Sequence, residues 1–436
     1  MPFGQWRKHP GHRQGLRGTS RNHCAASLGF ALRHPIANAR ELFGVPDYRR
    51  IWAIGALCGV ARWLEFVAVA IFAYELTHSP ELVALLAVVR MLPYVLFGFG
   101  MGALADALDR KTLLIAGLLG MAMVSGAMAV LTLSGAAGYA LLAAATAASG
   151  AFWTTDMPVR RRLLVDAVAP NDIAAALGFD NSTMYAARAV GPLVGGTTYQ
   201  FLGIEGIYAL IAASYLICLR LAIASGSCAA PATRAGGIRF AVLLPPRDLL
   251  VNRRFQIIMG VTLVYNLWCF PFISMVPVIA QRDFSLAPVF IGAMSACEGL
   301  GGTVGALIVA SLAAERTLFR FYYFGTMSFL FLVLGLSLHL TVGAAVSALL
   351  ILGLASASFS ATQYALIHVI APPEMRGRAA GVLSLFIGSS MFGHFHAGLL
   401  FERLGSAQAM RLMAIEGVLA MLVLGALWWR TTGKTA

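Results

Sequence analysis

From residue 51 onward the chain is a succession of long apolar runs, separated by short clusters of charged residues, proline and glycine. One bilayer crossing by an α-helix needs roughly 20 mostly apolar residues. The runs predict twelve such helices, at 51–76, 81–105, 112–134, 139–157, 179–203, 206–226, 255–280, 287–312, 317–339, 342–371, 378–401 and 408–430. The expected class is therefore an all-α membrane protein.

Composition agrees, since 59% of the 436 residues are hydrophobic and 12% charged. Soluble domains carry about twice that charged fraction. A net charge of +13 would suit a nucleic-acid partner, but the positions of the 32 Lys and Arg argue otherwise. With the N-terminus in the cytoplasm, all but six fall on the cytoplasmic side. The exceptions are Arg282, Arg403 and Arg411 outside, and Arg62, Arg90 and Arg188 within helices. This is the positive-inside pattern, so the charge sets topology and no nucleic acid is expected. The six cysteines, at 24, 58, 218, 228, 269 and 297, show no C-x-x-C spacing, which supports neither a metal site nor a disulfide framework.

The chain also repeats itself. Leu163 to Gly196 begins Leu-Leu-Val-Asp-Ala-Val-Ala-Pro-Asn-Asp and ends Gly191-Pro192-x-x-Gly195-Gly196. Ala365 to Gly398, 202 positions later, begins Ala-Leu-Ile-His-Val-Ile-Ala-Pro-Pro-Glu and ends Gly393-His394-x-x-Ala397-Gly398. Two six-helix halves follow, 46–226 and 255–430, joined by a basic cytoplasmic linker, 227–254. Residues 1–45 read as a disordered basic cytoplasmic tail, preferred over a signal peptide, and 431–436 as a second cytoplasmic tail.

Between the second and third runs lies Gly102-Ala-Leu-Ala-Asp106-Ala-Leu-Asp-Arg110-Lys111-Thr. This resembles the signature loop between helices 2 and 3 of the major facilitator superfamily, with Gly102, Asp106, Arg110 and Lys111 matching. Ala107 and Asp109 depart from it, standing where that family usually has a cation and a glycine. Gly191, Pro192, Gly195 and Gly196 resemble the helix-5 motif of the family's exporters. Pro46-Asp-Tyr-Arg-Arg-Ile-Trp and Ala371-Pro-Pro-Glu-Met-Arg376-Gly-Arg strengthen the likeness to a bacterial exporter branch that includes the enterobactin exporter. The resemblance implies two parallel-repeat halves with a substrate path between them. It also implies Asp106 facing the start of helix 11 near Arg376.

Arg62, Glu65, Arg90, Arg188 and Glu298 fall in mid-span. A charge at the bilayer centre costs about 2.5–3.5 kcal/mol even on lenient scales, so such residues face a bundle interior or a wet cavity. Arg62 and Glu65, three apart, are expected to pair on one helix face. Arg90 and Arg188 would then leave the first half positive and suited to an anionic cargo. Glu298, with no cation within a turn of its own helix, is expected to be an unpaired proton carrier. The fourth span shows no embedded arginine, Arg160 being placed at its cytoplasmic end. His394 and His396 could titrate but suit packing as well.

The expected function is export of a small, siderophore-like or drug-like molecule across the bacterial cytoplasmic membrane. The expected mechanism is alternating access by a monomer in the lipid bilayer, driven by a proton gradient with no cofactor. An importer of a small organic anion and a flux-free sensor are the alternatives. A membrane enzyme is disfavoured, because no loop holds a catalytic constellation.

Overall fold

The computed structural model describes residues 35–107, 109–226, 251–312, 316–338, 341–372 and 375–432, with side chains except at 35–39, 94, 97–107, 174 and 429–432. The structure is almost wholly helical, with no strand among the described residues. Nine of its helical segments are long and apolar enough to cross a membrane, among the described residues. One of them, Ile173–Ala224, has 52 residues, and Gly203 breaks it with φ 63°. Unbroken it would measure about 78 Å at 1.5 Å per residue, against a hydrocarbon core of about 30 Å. It is therefore two antiparallel crossings. Adding Pro80–Ala107 and Tyr139–Asp166, which pack among them, gives twelve.

In chain order these are α1 (Pro46–Thr77), α2 (Pro80–Ala107), α3 (Arg110–Leu133), α4 (Tyr139–Asp166), and α5 and α6 on either side of Gly203. The second half comprises α7 (Arg253–Arg282), α8 (Pro288–Leu312), α9 (Leu318–Leu338), α10 (Val342–Ile370), α11 (Arg376–Leu404) and α12 (Ser406–Thr432). Helix starts carry their own signals. Pro46 opens α1, where a missing N–H costs nothing. Thr341 and Asn252 cap α10 and α7 through side-chain oxygens. Within α7, Tyr265–Cys269 is a π-helical turn. Pro35–Gly44 is a short helix, where a disordered tail was expected; Phe43 packs edge-on to Trp52 and Phe179. The rest of the expected tail, 1–34, and most of the expected linker, 227–250, lie outside the described residues.

The strict alternation of direction places the α2–α3 and α4–α5 junctions, Gly226 and Asn252 at one face, here the linker face. The tight turns near His78, Gly203 and Gly405 lie at the opposite face. In the first half α1 is central: Gly191 and Gly195 let α5 approach it at Trp63 and Leu64, and Cys58 meets Cys218 of α6 at 3.9 Å. In the second half Tyr322 of α9 bonds Thr262 of α7 at 2.5 Å, and Gly301 and Gly305 of α8 lie against Leu350 and Leu354 of α10. Two seams join the halves, α5 with α8 and α2 with α11.

Candidate functional site

The buried charges of the first half form a chain of pairs. Arg62 meets Asp156 of α4 at 3.4 Å and lies over the Trp153 ring, 4.2 Å from its centroid. Glu65 accepts a 2.6 Å hydrogen bond from Ser149 and lies 3.9 Å from Arg90 of α2. Arg160 sits 3.9 Å from Asp156 and pairs closely with Asp180 of α5, which Arg161 also reaches at 3.3 Å. Arg62, Glu65, Arg90, Asp156, Arg160 and Asp180 are all at least nine-tenths buried. Each cation therefore depends on its carboxylate, because an unpaired charge there would cost several kcal/mol.

Three expectations need correction. Arg62 and Glu65 do not pair with one another. Both face α4, but each finds a nearer partner there or beyond: Arg62 meets Asp156 of α4, while Glu65 is taken up by Ser149 of α4 and Arg90 of α2. Arg160 is not at a solvated helix end; α4 continues to Asp166, so Arg160 is 1% exposed and lies between helices. Nor is the first half left with uncompensated arginines, since Arg62, Arg90, Arg160 and Arg188 all have carboxylate partners. Asp156 and Asp180 escaped the sequence reading. The available signal was the i, i+4 spacing of Asp156 and Arg160, hidden by the run Arg160-Arg161-Arg162 that reads as a membrane boundary.

Arg188 and Glu298 make a pair of another kind, for it bridges the halves. Arg188 Nε lies 2.6 Å from Glu298 Oε2, and the guanidinium stands 4.8 Å from the centre of the Trp63 ring. Glu298 is thus paired across the seam, not isolated as its own helix suggested. The local sequence explains the close approach. Pro192 has no N–H for the Arg188 carbonyl one turn back. Gly299 of α8 comes against that carbonyl, so closely that a Cβ there would lie 2.5 Å from the oxygen. Nearer the opposite face Gly196 and Gly292 continue the contact. A cavity of about 10 Å³ beside the pair, bounded by Trp63, Phe66 and Ser295, has room for about one water.

The internal repeat relates the two seams. Arg90 follows Pro80 in α2 by the same ten residues that separate Glu298 from Pro288 in α8. Gly150 of α4 packs on the Arg90 carbonyl, and Gly353 of α10 on the Glu298 carbonyl. The repeat places Ser390 of α11 where α5 has Arg188. The second seam therefore carries Arg90 and Ser390 in place of an ion pair. At the opposite face it is closed by Glu402, which accepts from Ser79 Oγ at 2.8 Å and Glu81 N at 3.3 Å, and by Gly398 against Ala84. Glu75 and Gln281 add a cross-half contact at 3.5 Å on that face. Deeper in, α2, α4, α7, α10 and α11 enclose a cavity of about 250 Å³ that includes Arg90, Trp153, Phe270 and Ser390.

The signature stretch is helical further than expected, α2 ending at Ala107 and α3 starting at Arg110. The side chains of Gly102 and Asp106 lie outside the described residues, as do Pro373 and Glu374 before Arg376, which itself is exposed. Asp109, where the family has glycine, caps α3 by accepting from Thr112 N at 2.8 Å and Thr112 Oγ1 at 2.7 Å. Those bonds, side chain first, hold its carboxyl below the usual range. Arg110 binds Asp166 at 2.7 Å, and Lys111 donates to the carbonyls of Ile223 and Ser225 at the end of α6. His394 is buried against Phe270, while His396 lies 2.8 Å from Glu416, which also accepts from Trp268.

Residues 51–393 match the sequence model of the Major Facilitator Superfamily. The chain belongs to that superfamily. It is a multi-pass membrane protein. A curated relative, the uncharacterized MFS-type transporter YceJ of Bacillus subtilis (strain 168), is 26% identical over 231 residues, 52% of this chain and 57% of that protein. The match thus spans little more than half that relative's length. Among solved structures, a bacterial homologue of the human lysosomal transporter Spinster, inward-facing and unoccupied, superposes with a TM-score of 0.67 at 13% identity, covering 88% of this chain and 95% of that one. The nucleoside transporter NupG gives a TM-score of 0.70 at 12% identity, covering 88% and 99%. These likenesses show the major facilitator fold of two six-helix halves.

Proposed function

We propose that this superfamily member is a secondary active transporter that exports a small organic anion across the cytoplasmic membrane, by alternating access and against proton entry. The observation that carries the proposal is the buried Arg188–Glu298 pair bridging α5 and α8. Two unit charges 4 Å apart attract by about 4 kcal/mol at an effective dielectric of 20. Protonating Glu298 removes that attraction, so proton uptake and separation of the halves act on one bond. Export is favoured by the Gly191-Pro192-x-x-Gly195-Gly196 motif, and an anion by Arg90 in the central cavity. The Lys and Arg distribution supports a cytoplasmic location for both termini. The arrangement sealed at Glu402 is then inward-facing. Asp106 meets the start of α11 near Arg376 when the linker face closes, and favours the outward-open state. The transporter works as a monomer.

The test is proton movement in proteoliposomes, followed with a trapped pH dye as organic anions are added under an imposed pH gradient. Inverted membrane vesicles then fix direction. Export coupled to protons requires anion accumulation in inverted vesicles and loss of its pH dependence in Glu298→Gln. Accumulation by whole cells would make the protein an importer. Absence of any flux would make it a sensor.

A further inference from the structure

The cavity of about 250 Å³ between the halves is lined by unused hydrogen-bond donors. Arg90 Nη1, Trp153 Nε1, Gln363 Nε2 and Ser390 Oγ, all on residues that line it, are buried with no hydrogen-bond partner. A buried polar group left unmatched costs about 1–3 kcal/mol, so four around one cavity need an explanation. Neighbouring polar groups are already engaged within their own half: Asn266 Nδ2 donates to Thr262 O at 2.9 Å, and the Tyr265 hydroxyl bonds Ser356 Oγ at 2.7 Å. The vacancy therefore calls for acceptor atoms. No carboxylate lines the cavity; the one nearest Arg90 is Glu65, 3.9 Å from Nη1. It balances the arginine's charge without hydrogen-bonding that nitrogen, so the site is close to neutral, which suits a monoanion better than a phosphate dianion. The other lining residues include the aromatic rings of Phe270 and of Tyr265, which stacks on Phe359 with centroids 3.7 Å apart.

We infer that this cavity is a binding site for a planar aromatic carboxylate, its carboxylate held by Arg90, Trp153 and Ser390 and its rings against Phe270 and Tyr265. The assignment rests on the transporter reading above and names its cargo class. Arg62 stacks on the face of Trp153, 4.2 Å from its centroid, and so fixes the ring in place beside the cavity. Ser390 is supplied by α11 and the other two donors by the first half, so a bound carboxylate ties both halves together at the seam lacking the Arg188–Glu298 pair. The volume admits a body of one or two rings.

The experiment is calorimetric binding to the full chain in lipid nanodiscs at pH 7, with 2-naphthoate, 2-naphthalenemethanol and 2-naphthylmethylamine as probes. Naphthoate should bind at least tenfold tighter than the alcohol or the amine. Ser390→Ala and Trp153→Phe, which delete a donor and spare the Arg90–Glu65 pair, should each weaken naphthoate three- to tenfold. Neither should lower the melting temperature, and the loss for naphthoate should exceed any loss for the alcohol. Arg90→Gln is unsuited alone, because it strands Glu65. Failure of naphthoate to bind, equal binding of the amine, or undiminished naphthoate affinity in both variants would overturn the assignment. Naphthoate binding without flux would instead refute only the transport reading. Flux of another cargo without naphthoate binding would refute only this site.

Discussion

At the α5–α8 seam, Gly196→Ala is the most diagnostic single change. A methyl carbon at 196 would lie 2.8 Å from Gly292 Cα and closer still to the Pro288 carbonyl. Carbon atoms settle at about 3.5–4.0 Å, so the helices must part by roughly 1 Å. Both obstacles are backbone, and neither can rotate away. Overpacking of this kind costs typically 1–3 kcal/mol. It falls only on the conformation in which the seam is closed, whereas the gain of about 1 kcal/mol in helix propensity applies to every conformation. A differential penalty of 1–3 kcal/mol shifts a two-state ratio by about 5- to 150-fold. Spin labels at Leu76 and Leu404, both exposed at the face opposite the linker, would report that shift as longer distances. Gly120→Ala is the control, since nothing lies within 4 Å of a Cβ there. It should leave the distances alone and raise the melting temperature slightly. An unchanged distance distribution in Gly196→Ala, with unchanged melting, would refute the idea that this seam seals one state.

Arg160→Gln removes the closest partner of Asp180, which keeps Arg161 at 3.3 Å, while Asp156 keeps Arg62 at 3.4 Å; it should destabilise the first half by up to about 3 kcal/mol, the low end for breaking a buried pair, read as a lower melting temperature in detergent. Ser149→Ala removes the 2.6 Å bond to Glu65 and should cost roughly 1.5–3 kcal/mol, the range for a bond to a charged group; a melting curve identical to the parent would show that Glu65 needs no such support. Asp109→Ala removes the α3 cap and should cost about 1 kcal/mol, while Asp109→Asn should cost less. Because the folded-state pKa of Asp109 is depressed below 3.8, its stabilisation is present above pH 4 and lost as pH falls through the folded value. Acid titration of thermal stability should show that step shrink in Asp109→Asn.

Hydropathy carried the twelve crossings, because in a bilayer every apolar run must satisfy its backbone internally and has little choice but to be a helix, and the internal repeat carried the two halves. Arg62, Glu65, Arg90, Arg188 and Glu298 were equally visible in mid-span, whereas Asp156, Arg160 and Asp180 were hidden near the expected span ends. What could not be read was who meets whom. A single sequence states how far apart Arg62 and Glu65 are along α1, but not that Asp156 and Ser149 of α4 flank them. Arg188 and Glu298 are separated by 110 positions, and only the packing at Gly299 makes them neighbours. Asp109 looked like a blemish in the signature stretch until its bonds to Thr112 showed a helix cap.

The repeat has a mechanical meaning. A chain made of two equal halves would have two equal seams, and nothing would decide which acts as the hinge. Here matching positions have diverged: one seam holds an arginine against a glutamate at 2.6 Å, the other an arginine beside a serine. On the reading proposed above, α5 and α8 must release an ion pair before they can part, whereas α2 and α11 are joined through Glu402 at the face opposite the linker and leave their matching mid-seam place without such a pair.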